Sequence, residues 1–479
     1  MQTRSGALRR VNPVTALGAA LGLLALSPVG GPSWLLLKAN RLVAGDAYGA
    51  LALPGPYAYL LLGAWSLLLL LSFVRFPGRA WGLAFLCTLA LLFGLLLVAG
   101  GSSALLAAAD DPERARVSLQ GGVWLTLLAL YIGLFGALGD APQAGENRGR
   151  ARALMVVPSL LVALTLVATG TFGSVSLVQE LRSSGGDFAA EGLRHLALSG
   201  TSVLIACLIG IPAAIWAARQ DAAARLVLPT ASFLQTIPSL ALFGLMLLPL
   251  ARLGSLVTVG EALLFCAVGL ALGAAAGLLS RRAQGRARAP LVAVTLTVAL
   301  LPVLLLSVMV AVLLNDVFVA IFSFDVGALR LPESLGAPLS SLGVRGIGTA
   351  PALIALTLYA FLPVVRNTYT GIREVPRAAT EAGQGMGMSP GQILRRVELP
   401  LALPLILEGV RASAVLTIGI TTVAFLIGAG GLGTFIERGI SQQVPDLILL
   451  GALPIIALAL LADAALRGLG LLVTSRGIR

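Results

Sequence analysis

Pro376-Arg377-Ala378-Ala379-Thr380-Glu381-Ala382-Gly383-Gln384-Gly385-Met386-Gly387-Met388-Ser389-Pro390-Gly391-Gln392-Ile393-Leu394-Arg395-Arg396-Val397-Glu398-Leu399-Pro400 is a polar, helix-forming stretch inside a chain that is otherwise almost all apolar. Proline is favoured in the first turn of a helix, where its missing N–H costs nothing, so Pro376 opens a short Ala-rich helix running to Met386. Gly387 supplies the left-handed residue that ends it. Ser389, Pro390 and Gln392 spell a capping box for a second helix, expected to run to about Leu399 and to stop at Pro400. Ordinary connections between spans are short and lack paired caps. A helix–elbow–helix loop is a place to dock something.

Around this loop the chain reads as membrane. Of 479 residues, 58% are hydrophobic and 11% charged, and the mean hydropathy is +0.96. Runs of about 18 or more apolar residues recur along the whole length, which a soluble core does not require. Runs of that length form helices, since a barrel shows alternating segments of about ten residues. The expected fold class is all-α integral membrane with about twelve transmembrane helices. We place them at Val14–Gly30, Tyr57–Val74, Trp81–Gly100, Gly122–Leu138, Leu154–Val175, Leu196–Ala218, Leu228–Leu250, Ala262–Leu279, Ala289–Leu314, Thr349–Val365, Ala412–Ile427 and Leu447–Leu466.

The formal charge of +12 could suggest nucleic acid, but its distribution argues otherwise. With the N-terminus in the cytoplasm, 23 of the 33 Lys and Arg fall inside, against 8 of the 21 acids. Such a bias in short loops orients the chain with both termini cytoplasmic. Arg4, Arg9 and Arg10 before the first apolar run then flank a retained span rather than a cleaved signal peptide. Cys87, Cys207 and Cys266 all lie within apolar spans and make neither a disulfide framework nor a metal set. The single histidine, His195, begins a span and is expected at the interface rather than in catalysis. No metal site and no catalytic residue is read from the sequence.

Residues 1–193 hold five spans. Residues 194–479 hold five more around the opening loop (about 373–400), with a two-span insertion at about 253–347. The insertion enters and leaves on the outer side, so it crosses an even number of times. Its connector, Arg281-Arg282-Ala283-Gln284-Gly285-Arg286-Ala287-Arg288, falls inside, a topological anchor that could also meet anionic lipid. Lys38 is the only lysine and no phosphate-binding loop surrounds it, so the energy for any transport comes from a partner. Ionisable residues deep in spans are few: Asp463, with Glu408 and Arg411 near the inner face. That scarcity weighs against a proton- or sodium-coupled carrier, and the structured loop weighs against both a carrier and a non-transporting scaffold.

Glu381-Ala382-Gly383, Gly387 four residues on, and Val397-Glu398-Leu399-Pro400 together resemble the EAA loop of ABC importer permeases, with Gly383 in place of an Ala and Val397 in place of an Ile. Gln235-Thr236-Ile237-Pro238-Ser239-Leu240-Ala241 is similar to a stretch of the permeases for glycine betaine, choline and related osmoprotectants. So are Arg366-Asn367-Thr368-Tyr369 and Leu426-Ile427-Gly428-Ala429-Gly430-Gly431-Leu432-Gly433. Val11-Asn12-Pro13 and Asn40-Arg41-Leu42-Val43-Ala44-Gly45 look like the opening of the longer members. The resemblance implies a five-helix type I importer core whose coupling residues are Glu381, Ala382, Gly383, Gly387, Val397, Leu399 and Pro400. It also implies a cytoplasmic ABC ATPase that holds the ATP and Mg, a second permease subunit (the same chain or a shorter paralogue), and an external substrate-binding protein. The location implied is a bacterial inner membrane. Gln235, Thr236, Pro238 and Ser239 fit either polar packing or the lining of a path, and Pro238, by freeing backbone carbonyls, favours the path. Gly428, Gly430, Gly431 and Gly433 fit either a turn at an outer gate or a plain helix terminus. Trimethylammonium groups are commonly selected by aromatic cages. This chain is 6% aromatic, so selection belongs to the binding protein.

Overall fold

The computed structural model describes residues 11–41, 43–140, 148–282, 288–325, 327, 329 and 331–473. Arg4, Arg9, Arg10, Leu42 and the middle of the Arg281–Arg288 connector lie outside the described residues. Among those described, nine helices are long and apolar enough to cross a membrane. Three shorter apolar helices, Pro13–Ala25, Tyr57–Ser72 and Arg152–Ala168, occupy the first, second and fifth expected spans. The seventh, Leu228–Leu250, is not one helix: it is broken at Ile237-Pro238.

The chain divides into two compact units, Met1–Gly185 with Arg438–Leu450, and Gly186–Glu437 with Gly451–Arg479. The division falls ahead of the 193/194 boundary read from composition, and it returns a late segment to the first unit.

In the first unit, α1 (Pro13–Ala25), α2 (Tyr57–Ser72), α3 (Arg79–Ala107), α4 (Gly121–Gly139) and α5 (Arg148–Ala168) pack around Trp34, Trp65, Leu61, Leu68, Leu83 and Leu97, all fully buried. Helices α1 and α4 approach closely because Gly18 has no side chain: a Cβ there would lie 2.6 Å from the Gly133 nitrogen. Small residues at such crossings are how helices gain packing contact in lipid. Asn12 caps α1 through the Thr15 N–H at 3.0 Å, and its amide donates to Asp140 at 2.8 Å. Asp140 also pairs with Arg79 at 2.7 Å.

A small antiparallel sheet joins β1 (Leu35–Lys38), β2 (Asp46–Tyr48) and β3 (Arg116–Leu119) in the order β2-β1-β3. Its strands come from two loops that the sequence reading left without structure. Beside it, α6 (Ser176–Ser183) carries Glu180, whose side chain is 2% exposed and pairs with Arg41 at 2.8 Å. Burial pushes the Glu180 carboxyl above its ordinary range, and Arg41 and Arg116 pull it back only in part. On β3, the Ser118 hydroxyl donates to Asp446 at 2.6 Å.

The second unit begins with α7 (Gly185–Arg219), α8 (Asp221–Thr236) and α9 (Ser239–Leu256). The insertion follows as a pair, α10 (Val259–Arg282) and α11 (Arg288–Ser323), then α12 (Thr349–Arg373). After α13 (Arg377–Gly385) and the short α14 (Pro390–Ile393) come α15 (Leu399–Thr421), α16 (Gly433–Ser441) and α17 (Pro445–Val473). Helices α12 and α15 form the main packing pair, and small residues line it: Ala355, Ala360, Ala402 and Ser413 are fully buried. His195 packs inside the protein. It is fully buried in α7, its Nε2 3.0 Å from the Ile418 carbonyl.

Candidate functional site

The loop between α12 and α15 folds as two helical pieces about a glycine. Pro376 stands at the N-cap of α13, and Gly387 takes φ 77°, the left-handed conformation. The Met388 N–H then bonds the Gly383 carbonyl at 3.1 Å, closing the helix end. The capping box at Ser389 is complete: the Ser389 N–H donates to the Gln392 side chain at 2.8 Å and the Gln392 N–H to the Ser389 hydroxyl at 3.4 Å.

The second piece does not stop at Pro400. Residues Leu394–Glu398 form a π turn and the helix continues as α15. A π turn bonds i to i+5 and so tolerates a missing N–H, which lets the proline ring pass into the helix. Glu381, Ala382 and Gly387 are exposed, Val397 and Leu399 half-buried, and Gly383 buried between the two pieces. A Cβ on Gly383 would lie 3.5 Å from Ile393 and 3.8 Å from Val397, ordinary contact distances. The two departures from the EAA pattern, Gly383 and Val397, therefore face one another.

Charge pairs tie this loop to the first helices of its unit. Arg219, the last residue of α7, pairs with Glu398 at 2.7 Å. Asp221, the first of α8, pairs with Arg373 at the end of α12, at 2.9 Å. Helix α8 then leads to the break at Ile237-Pro238. There the Tyr359 hydroxyl donates to the Ile237 carbonyl, and the Gln235 amide donates to the Tyr359 carbonyl at 3.2 Å. The Ile237 carbonyl left open by the break is thus received by protein, as hydrocarbon demands. Thr236 folds back on the Phe233 carbonyl at 2.7 Å. Thr236 and Pro238 are exposed, Gln235 and Ser239 half-buried.

Residues 269–473 match the family profile described as the binding-protein-dependent transport system inner membrane component. Residues 9–178 match the profile of the ABC transporter permease YehY, N-terminal domain. A carnitine transport permease of Listeria monocytogenes is 44% identical over 154 residues, 32% of this chain and 71% of that protein. An osmoprotectant import permease of Salmonella typhimurium is 46% identical over 142 residues, 30% of this chain and 66% of that protein. A choline transport permease of Bacillus subtilis is 43% identical over 141 residues, 29% of this chain and 65% of that protein. The chain belongs to the binding-protein-dependent ABC transporter permeases.

At the other end of the permease core, a 3-10 turn over Thr422–Ile427 closes α15, and Gly428, Gly430 and Gly431 follow with φ of 73°, 79° and 97°. Three left-handed residues in four make a reversal that residues with a Cβ would strain. Gly433 opens α16 so close to the turn that a Cβ would sit 1.8 Å from the Thr422 carbonyl oxygen. Glu191 on α7 holds the reversal by accepting the Gly431 N–H at 2.5 Å. Glu408, Arg411, Asp463 and Arg467 form one paired cluster. Asp463 meets Arg411 at 3.2 Å and Arg467 at 2.9 Å, and Arg411 also pairs with Glu408.

Sequence reading found the elbow, the proline break and the glycine turn. It gave no pairing role to Tyr359, Arg219, Asp221, Arg373, Glu398 or Glu191. A lone tyrosine inside an apolar span was the available signal for Tyr359. Nothing local pairs Arg219 with Glu398.

Proposed function

We propose that this permease carries a quaternary-ammonium compatible solute, such as glycine betaine, into a bacterial cytoplasm, driven by ATP hydrolysed on a separate ABC ATPase. The observation that carries the reading is the exposed helix–Gly387–helix loop bearing Glu381 and Ala382. The names of the relatives, for carnitine, osmoprotectants and choline, support the solute class. Two permease subunits pair, each offering its loop to an ATPase, and an external binding protein delivers the solute.

Movement of the loop is passed through Arg219–Glu398 and Asp221–Arg373 to α8, and so to the Ile237-Pro238 break beside Tyr359. Both termini face the cytoplasm of an inner-membrane protein. Reporter fusions should then read internal after Arg396 and external at Glu333, and the reverse would overturn this orientation.

Uptake of labelled glycine betaine by cells provides the functional test. It should stop when the partner ATPase is inactivated and should survive a proton uncoupler at constant ATP. Loss of uptake with the uncoupler alone would favour a proton-coupled carrier.

A further inference from the structure

The insertion, whose two helices no coupling or path residue occupies, contributes a polar wall to a cavity of about 540 Å³ in the second unit. Asn315, Val319 and Ser323 succeed one another at intervals of four along α11, with Asp316 beside them. All four line the cavity, so one face of the helix looks into it. The far wall holds Arg194 of α7 and Gly428 of the outer reversal.

Asn315 is 6% exposed and Asp316 5%. The Asn315 Oδ1 finds no hydrogen-bond partner among the described residues. A buried acceptor left open in this way costs free energy unless something occupies the space before it. Asp325, exposed on the same lining, adds a second carboxylate. The one basic residue of the lining, Arg194, is held at 2.9 Å by Glu191. Acceptor oxygens and acids therefore dominate, and the field favours a cation.

A hard metal ion requires several oxygens converging at about 2.0–2.6 Å. Among the described residues no group of three or more His, Cys, Asp or Glu could hold one. The volume is instead that of a small-molecule pocket, which runs to roughly 300–1,000 Å³. A quaternary ammonium suits it: its charge is diffuse, and its polarised methyl C–H groups meet amide and carboxylate oxygens without needing a donor. Glu191 also accepts the Gly431 N–H, so the same side chain steadies Arg194 at the cavity wall and the glycine reversal.

We propose that the cavity walled by Asn315 and Asp316 is a low-affinity site for the quaternary-ammonium head of the solute, taken up beside the outer glycine reversal after release from the binding protein. The inference rests on the import reading above and adds a role for the insertion.

The test is equilibrium binding of labelled choline and glycine betaine to the full permease–ATPase complex in nanodiscs, without binding protein. Wild type should bind choline saturably. Asp316→Asn should weaken binding by about tenfold or more, as loss of a half of a buried charge pair does, with membrane abundance and ATPase recovery unchanged. Asn315→Asp, which adds a carboxylate at constant size, should tighten choline binding and serves if Asp316→Asn fails to accumulate. Sodium or calcium chloride should not compete beyond the effect of ionic strength.

Unchanged binding in both variants, or competition by sodium or calcium in place of choline, would overturn the site. Should uptake of labelled solute in cells proceed normally while both variants bind as wild type, the cavity assignment alone falls. Absence of any quaternary-ammonium uptake by the wild-type system would overturn the import reading and the cavity with it.

Discussion

The elbow at Gly387 and the break at Ile237-Pro238 are both interruptions of helix, and they solve the same problem in opposite ways. At the elbow the Met388, Gln392 and Ser389 N–H groups are met within a few residues, by the Gly383 carbonyl, the Ser389 hydroxyl and the Gln392 side-chain oxygen. At the break the freed carbonyl of Ile237 is met by Tyr359, on another helix 122 residues away. Water tolerates a loosely satisfied loop, so local caps suffice there. Hydrocarbon does not, so a break in a span must be completed from a neighbour. An interruption in water can therefore move as a piece, whereas one in lipid is coupled to its partner helix.

Gly387→Val is expected to produce the largest effect. No atom lies within 4 Å of a Cβ built at Gly387, so the cost is in the backbone rather than in a clash. At φ 77° an L-residue is disfavoured by about 1–2 kcal/mol, and a β-branched one by more. The variant should reach the membrane at normal abundance, lose the co-purifying ATPase and lose uptake. Full ATPase recovery with normal uptake would break the docking half of the comparison.

Tyr359→Phe tests the other half. It leaves the Ile237 carbonyl without its donor, and an unsatisfied buried group costs about 1–3 kcal/mol. The thermal midpoint of the purified protein should fall, and more than for Gln235→Leu, which removes a donor but orphans no broken-helix carbonyl. Equal midpoints for wild type and Tyr359→Phe would mean that the break needs no partner.

The smallest effect is expected from Gly383→Ala. The added methyl meets Ile393, Met388 and Val397 at ordinary contact distance, and Gly→Ala at a compatible helical site stabilises by about 0.4–1 kcal/mol. Limited proteolysis of the loop should slow while uptake holds. Loss of uptake would show that the partner fills the space beside Gly383.

The same contrast explains what was legible in the sequence. Gly387, Ser389, Pro390 and Gln392 act on their immediate neighbours, so spacing alone reveals them. The apolar runs that became spans were equally plain, because lipid sets their length. Tyr359 with Ile237, Glu191 with Gly431 and Arg219 with Glu398 join residues more than a hundred positions apart, and no local pattern encodes such pairs. Pro400 misled for a related reason. A proline ends an isolated helix, but the π turn before it gave the chain a way through. The three strands were missed because Leu35-Leu36-Leu37 is too short and too apolar to show alternation.

The hydrogen bond from Ser118 to Asp446 bears on what could be cut away. By sequence residues 1–193 form a block of five spans ahead of the permease core. Yet the chain returns to that unit at Arg438–Leu450 before its last helix, and Asp446, 3% exposed, takes its hydroxyl donor from β3. A truncated chain beginning at α7 would present that carboxylate bare at the start of its final span. Deleting the first 185 residues would therefore also strip Arg438–Leu450 of the strand residue that Asp446 is bonded to.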